Sequence, residues 1–72
     1  VILPGTLTTI GEKAFMNCTS LMSVKIPPSV TKIGRRAFAG CKKLTIYCEK
    51  NSYAYWYAKL RRIPVKVMPL SL

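Results

Sequence analysis

The clearest alternation of apolar and polar positions lies in residues 21–26, which read LMSVKI. Ser23 and Lys25 alternate with apolar residues, which is the pattern of a short strand with one buried face. A Pro-Pro dipeptide follows at 27–28, and proline cannot donate to a strand ladder, so the strand should end there. We therefore predict a strand whose polar side chains face solvent and whose core residues are Leu21, Val24 and Ile26.

The hydrophobic pattern recurs with a period of 23 residues. Residues 11–21 read GEKAFMNCTSL and residues 34–44 read GRRAFAGCKKL, so the Gly, the Ala-Phe pair, the Cys and the Leu recur while the residues between them change. A repeat of about 20 to 29 residues is typical of a leucine-rich solenoid, in which each unit adds one turn to a stacked coil. We expect an inward-facing ladder made of Ile10, Ala14, Phe15, Cys18, Leu21, Val24, Ile26, Ile33, Ala37, Phe38, Cys41 and Leu44.

The rest of the second copy is predicted to return to the next strand. Residues 31–34 are interpreted as the return segment, and Gly34 suits a bend. Residues 35–41 are predicted to make a helical turn, because their Ala, Phe and Cys lie on one side at three- and four-residue spacings. The equivalent segments 1–4 and 7–18 of the first copy should stack directly beneath.

After the second copy the pattern changes. Residues 45–48, TIYC, predict a third strand, and Ser52 is a good N-cap candidate for a helix over residues 53–61. Residues 65–67, VKV, then predict a final strand.

The aromatic tail has two interpretations. As a cap, residues 49–72 would cover the open end of the solenoid formed by residues 1–48, within the same single domain. As a recognition patch, Tyr53, Tyr55 and Trp56 would contact a partner, because exposed aromatics beside Arg are typical interface anchors. We favour the cap.

Residues 21–45 resemble the unit of the BspA-like leucine-rich repeat family, L-x-x-V-x-I-P-x-S-V-T-x-I-G-x-x-A-F-x-G-C, almost position by position. The Ser-x-Ala-x-x-Tyr-Ala segment at 52–58, followed by Ile-Pro, is similar to the terminal segment of such proteins. The resemblance implies an α/β solenoid: a right-handed coil of short strands and helical turns, closed by a capping helix and strand. It also implies a secreted or surface-attached protein, of a bacterium or a microbial eukaryote, whose curved face mediates adhesion to host or matrix proteins.

The number of repeats bears on how the chain is used. Solenoids usually need about three or more repeats, whereas this chain has two repeats and a terminal segment. We therefore expect it to be the C-terminal portion of a longer array. An uncapped first turn at residues 1–4 would be an edge with unpaired backbone groups, through which two copies of the chain could associate.

Charge is the strongest functional hint, since the net charge of +10 is concentrated in one half. Residues 1–31 carry a net charge of +1, whereas residues 32–72 carry +9. Such a surface attracts anionic partners, and acidic glycans, acidic proteins, membrane headgroups and nucleic acid all qualify. Nucleic acid is the least favoured of these, because no helix-turn-helix, RNP-like or finger pattern is visible. A solvated face without a ligand remains open.

Catalytic and metal chemistry have little support. The sequence has no His and no Asp, and its two carboxylates lie in unrelated segments, so neither a triad nor a general acid/base pair can be assembled. The cysteines show no zinc-ligand spacing. Cys18 and Cys41 occupy one repeat position and are interpreted as buried small hydrophobes, although stacking could bring them near disulfide range; Cys48 makes the count odd. We expect reduced thiols, no cofactor and no enzyme activity.

The variable positions should therefore carry the function. We predict a non-enzymatic interaction module that binds a protein or an acidic glycan at a cell surface, or alternatively a structural cap with no ligand, or a nonspecific polyanion binder. No stretch approaches the ~18 apolar residues of a transmembrane helix. The hypothetical contact residues are Ser23, Lys25, Arg35, Arg36, Lys42, Lys43 and Tyr47.

Overall fold

The structure, a computed structural model, describes residues 3–68 and contains five strands and one helix within them. The elements in chain order are β1 (Thr9–Ile10), β2 (Ser23–Lys25), β3 (Lys32–Ile33), β4 (Thr45–Cys48), α1 (Tyr53–Leu60) and β5 (Val65–Val67). All strand pairs are parallel, and they form a two-stranded sheet β1–β3 and a three-stranded sheet β2–β4–β5. Parallel pairing of short strands from successive units is the arrangement expected of stacked repeats.

The strand register shows how the copies stack. Ile10 lies opposite Ile33, which is the 23-residue period of the sequence. Val24 lies opposite Ile46, so the step from β2 to β4 is 22 residues and one residue is lost in the third unit. Continuing that register by one residue aligns Ile26 with Cys48, and both are fully buried. Cys48 therefore fills a core position that holds an isoleucine in the preceding unit.

The segment at residues 31–34 is not merely a return, because it contains β3, which pairs with β1 in a second sheet. The helical turn predicted at residues 35–41 is wrong. The chain there forms consecutive turns, in which the N–H groups of Ala37 and Ala39 donate to the carbonyls three residues earlier, each at 3.2 Å. Arg36 has a φ of 57°, in the left-handed region, and such a residue interrupts a right-handed helix.

Hydrogen bonds between the turns join the first copy to the second. The three bonds, which we call the turn ladder, run from Lys13 N–H to the Arg35 carbonyl (3.0 Å), from Phe15 N–H to the Ala37 carbonyl (2.7 Å) and from Asn17 N–H to the Ala39 carbonyl (2.6 Å). Every donor lies in the first copy and every acceptor in the second. The turn ladder thus has a direction, with N–H groups pointing toward the C-terminal side of the stack.

The core lies between the turns and the three-stranded sheet. Of the side chains expected to face inward, seven are buried: Ile10, Val24, Ile26, Ile33, Ala37, Phe38 and Leu44. Three are half-buried: Phe15, Leu21 and Cys41. Ala14 and Cys18 are exposed, against expectation, because no neighbouring turn covers the first copy within the described residues.

Helix α1 packs on the opposite side of the second copy. Ser52 is its N-cap as predicted, since the Ser52 hydroxyl accepts from the Tyr55 N–H at 3.3 Å. Ala54 and Ala58 are buried, and the Tyr57 ring meets the Phe38 ring edge-on with 6.2 Å between centroids. On its other side, Phe38 stacks on Phe15 at 5.3 Å. Tyr57 therefore takes the place above Phe38 that a further phenylalanine of the ladder would take.

Candidate protein-binding surfaces

The three-stranded sheet presents a row of polar and aromatic side chains, here called the sheet row. Lys25 lies opposite Tyr47, and Tyr47 lies opposite Lys66. The two lysines are exposed and the tyrosine is half-buried. Since residues paired across parallel strands point to the same face, the strands place two ammonium groups on either side of one phenol ring. No acidic residue occurs in β2, β4 or β5.

The sheet row contains two of the seven predicted contact residues and one that was missed. Lys66 was not predicted, because the step from β4 to β5 is 19 residues and follows no period in the sequence. The signal available in the sequence was its position between the two valines of β5, which indicates a strand with Lys66 on the opposite face from the valines. Ser23 lies opposite Thr45 at the beginning of the same strands, two residues before the row.

The four basic turn residues share exposure to solvent but differ in whether they line a groove. Arg35, Arg36, Lys42 and Lys43 are all exposed. Arg36 lines a groove beside α1, whereas the other three do not. The structure therefore supports Arg36, with a partner from α1, as one site, and leaves the joint patch of four basic residues as a hypothesis.

The groove beside α1 has a volume of about 240 Å³, and we call it the arginine groove. Its lining combines apolar side chains with two guanidinium groups and one phenol, and consists of Arg36, Phe38, Ala39, Tyr57, Arg61 and Ile63. Arg61 immediately follows α1 and holds its guanidinium 5.4 Å from the centre of the Tyr57 ring. This volume is below the ~300 Å³ at which drug-sized pockets begin, so the groove suits a side chain or an extended strand.

The electrostatics of the arginine groove are set by burial and by cations. Burial raises the pKa of the Tyr57 phenol above its ordinary value of 10.0, and the nearby Arg61 opposes that rise. Tyr57 is therefore neutral at physiological pH and acts as a hydrogen-bonding apolar surface. The positive charge of the groove comes from Arg36 and Arg61.

The remaining aromatic residues of α1 differ in their exposure to solvent. Tyr53 and Trp56 are exposed to 42% and 58%, and Leu60 to 81%. These three, together with Ile33, Tyr57 and Arg61, line a second depression of about 230 Å³. Tyr55 is half-buried beneath the Trp56 ring edge, with 5.0 Å between centroids. Thus α1 uses Tyr57 for packing and leaves an apolar surface outside, so the recognition-patch interpretation keeps physical support.

The cysteines and carboxylates do not form a reactive site in the part of the chain that the structure describes. All three cysteines are free: Cys18 is exposed, Cys41 is half-buried and Cys48 is buried. The Cys41 thiol donates to the Phe15 carbonyl at 3.0 Å, which ties it to the neighbouring copy. Among residues 3–68 no three His, Cys, Asp or Glu residues come together as a metal site would require. No helix in this range is long and apolar enough to cross a membrane.

Comparison with known proteins identifies the family of the chain. No curated protein matches the chain, and no solved structure does. A family model described as "BspA type Leucine rich repeat region (6 copies)" matches residues 1–63, which is most of the 72-residue chain. Repeat proteins of this family generally bind other proteins, are generally not enzymes and are typically associated with cell surfaces. The stacked copies, their period and this match together show that the chain belongs to the BspA type leucine-rich repeat family.

Proposed function

We propose that this chain is a non-enzymatic protein-binding module of a secreted or cell-surface bacterial protein, and that it mediates adhesion to host or matrix proteins. Residues 1–48 supply the repeats in this proposal, and residues 49–72 supply the cap within the same domain. The family match supports the protein-binding role in general. The surface context and the adhesion role are our extension of it.

The observation that carries the proposal is the sheet row. Tyr47 sits between Lys25 and Lys66 on adjacent parallel strands, so a rigid sheet holds an aromatic ring between two cations. Tyrosine is among the residues most often found to dominate binding energy at interfaces. The flanking lysines favour an acidic partner and raise the rate of encounter with it.

The test is binding of this chain to immobilised matrix glycoproteins, titrated from low to high salt. We expect Tyr47→Ala to weaken binding about thirtyfold, because truncation of an interface hot spot costs about 2 kcal/mol. A Lys25→Gln, Lys66→Gln variant should weaken it about fivefold and reduce the salt dependence. The matched control is Lys32→Gln, Lys50→Gln, which removes the same charge from exposed residues outside the row.

The outcome also separates the alternatives. Heparin serves as a generic polyanion in a parallel titration. Equal losses for the sheet-row and control variants, with binding to heparin that disappears at high salt, would replace specific adhesion by nonspecific polyanion binding. No binding to any protein or polyanion would leave the chain as a structural cap.

The four basic turn residues form the second part of the proposed contact surface. Changing Arg35, Arg36, Lys42 and Lys43 to Glu should weaken matrix-protein binding while the chain stays folded, since all four are exposed. Circular dichroism provides the control for folding. Unchanged binding would remove these residues from the contact surface.

A further inference from the structure

The turns of the two copies use their backbone donors in the same way, but with different partners. In the first copy Ala14, Met16 and Cys18 donate within their own turns, while the alternate residues of the turn ladder donate to the second copy. In the second copy Ala37, Ala39 and Cys41 again donate within their own turns. The alternate N–H groups there belong to Arg36, Phe38 and Gly40.

These three N–H groups have no hydrogen-bond acceptor among residues 3–68. They are the 23-residue equivalents of the turn-ladder donors Lys13, Phe15 and Asn17, which point from the first copy toward the second. By the same geometry they point away from the first copy, toward the side where α1 lies. Arg36 and Gly40 are exposed, so water reaches these residues, whereas Phe38 is only 4% exposed. A backbone donor that is removed from water without an acceptor destabilises a fold.

Helix α1 covers the side chains of this surface without supplying acceptors to it. The carbonyls of Tyr57, Ala58 and Lys59 at its end are taken by the N–H groups of Arg61, Ile63 and Arg62 respectively. Contact is made by side chains instead, with Tyr57 against Phe38. The arginine groove is the space left between the helix and the second copy, and Arg36, Phe38 and Ala39 form its wall. Gly40 follows Ala39 directly in the chain and is not itself a lining residue.

We propose that the arginine groove binds an extended acidic peptide segment of a partner protein. Alternate carbonyl oxygens of the peptide accept from the N–H groups of Arg36, Phe38 and Gly40, and its acidic side chains pair with the Arg36 and Arg61 guanidinium groups. An extended chain presents carbonyls to one side at every second residue, and the three donors also alternate along their turn. The equivalent donors of the first copy bind alternate carbonyls, those of Arg35, Ala37 and Ala39. The inference rests on the protein-binding function proposed above and assigns it a second site, separate from the sheet row.

Charge and space both favour an acidic peptide over a second copy of this chain. The chain carries a net charge of +10, so two copies repel one another. The first-copy turn of a second molecule offers suitable carbonyls, but its Phe15 ring would need the space above Phe38 that Tyr57 occupies. A single strand needs only the open groove.

The experiment is an amide chemical-shift titration of the whole 72-residue chain with a short, acetylated and amidated peptide of alternating Asp and Val. We expect the N–H signals of Arg36, Phe38 and Gly40 to move most. Those of Lys13, Phe15 and Asn17, which hold the same repeat positions but already have acceptors, should stay still. A peptide of alternating Lys and Val is the charge control and should cause no shifts.

Two matched variants test the arginines. Arg36→Asn with Arg61→Gln should weaken peptide binding about tenfold, as loss of two exposed ion pairs would; asparagine suits the positive φ of residue 36. Lys32→Gln with Lys50→Gln removes the same charge from exposed residues outside the groove and should change affinity less than about twofold. Tyr47→Ala should leave peptide affinity unchanged, so a failure of the sheet row and a failure of the groove are distinguishable.

Three results would overturn the proposal. Equal weakening by both charge variants would mean general electrostatic attraction only. An absence of shifts at the three amides at saturating peptide would remove the groove as a site. Shifts at the same amides that grow with protein concentration in the absence of peptide would show that a second copy is the occupant.

Discussion

The two repeat copies carry one motif in two environments. Ala37 is fully buried and Phe38 is 4% exposed, whereas their equivalents Ala14 and Phe15 are exposed and half-buried. The second copy lies between the first copy and α1, while the first copy is covered on one side only within the described residues. The burial of a repeat residue therefore depends on its neighbours as much as on its identity.

The glycines show the same contrast at the level of the backbone. A Cβ added to Gly34 would approach the backbone of Glu12, with its Cα at 2.7 Å, so only glycine allows the two copies to pack this closely. A Cβ at Gly11 would have nothing within 4 Å. Within the described residues 3–68, the motif glycine is thus a contact requirement in the second copy but not in the first.

The largest difference between the copies should come from the stacked phenylalanines. We expect Phe38→Ala to lower the free energy of unfolding by about 3 to 5 kcal/mol, because it removes a buried ring between Phe15 and Tyr57. Phe15→Ala should cost about 1 to 2 kcal/mol, since part of that ring is already in water. Urea denaturation measures both. If the Phe38→Ala chain does not fold, Phe38→Leu and Phe15→Leu provide the comparison. Equal losses of unfolding free energy at the two positions would contradict the stacked arrangement.

Substitution of the two glycines should give the next largest difference. Gly34→Ala is expected to destabilise the chain by about 1 to 3 kcal/mol through overpacking against the Glu12 backbone. Gly11→Ala should change stability by less than about 0.5 kcal/mol. Thermal unfolding of both variants tests this difference. An unchanged unfolding temperature for Gly34→Ala would mean that the two copies do not approach each other as closely as described.

The three cysteines should differ in how fast they react with an alkylating reagent. Iodoacetamide should modify exposed Cys18 first, half-buried Cys41 more slowly and buried Cys48 only after unfolding. Mass spectrometry of tryptic peptides over time gives the order. Modification of Cys48 in the native state at the rate of Cys18 would contradict its place in the core.

The buried thiol also makes stability depend on pH. Burial raises the pKa of Cys48 above its ordinary value of 9.0, although the Ser52 hydroxyl opposes this. The folded chain therefore holds the proton to higher pH than the unfolded chain does. This contribution to stability is fully present below about pH 9 and is lost as the pH rises through the folded-state pKa. Urea unfolding from pH 7 to 10 should show the decline, and it should be smaller in Cys48→Val.

The smallest difference in stability is expected at a position where the two copies have the same backbone conformation. Lys13 and Arg36 hold the same repeat position and have φ values of 59° and 57°. Because this conformation is a local property of the turn, Lys13→Gly and Arg36→Gly should change stability equally, within about 0.5 kcal/mol. Chemical denaturation of the two variants tests it. A clear difference would show that the conformation depends on the neighbouring copy.

Much of the fold could be predicted from the sequence because its signals are local. Alternation over residues 21–26 predicted a strand that contains β2, the segments 45–48 and 65–67 were predicted as the strands β4 and β5, and Ser52 predicted the start of α1. The sheet formed by β1 and β3 was missed, because strands of two residues are too short to show alternation. The turn at Arg36 was taken for a helical one, because arginine carries no signal for a positive φ.

The candidate sites were less predictable, because they depend on which residues the fold brings together. Lys66 joins the sheet row through a register that has no period. Arg61 joins Arg36 only once α1 packs on the second copy. The three backbone donors of the second copy cannot be seen in the sequence at all, since every residue but proline has an N–H group and only the structure shows which lack an acceptor.

The measurement that tests the central claim most directly is amide hydrogen exchange of the free protein at six positions. The two copies differ in what their turns face, so Lys13, Phe15 and Asn17 should exchange slowly because their N–H groups are bonded to the second copy. Their counterparts Arg36, Phe38 and Gly40 have no acceptor among residues 3–68 and should exchange faster, most clearly at exposed Arg36 and Gly40. Equal exchange within each pair would contradict the directional stacking on which both the fold and the proposed peptide site depend.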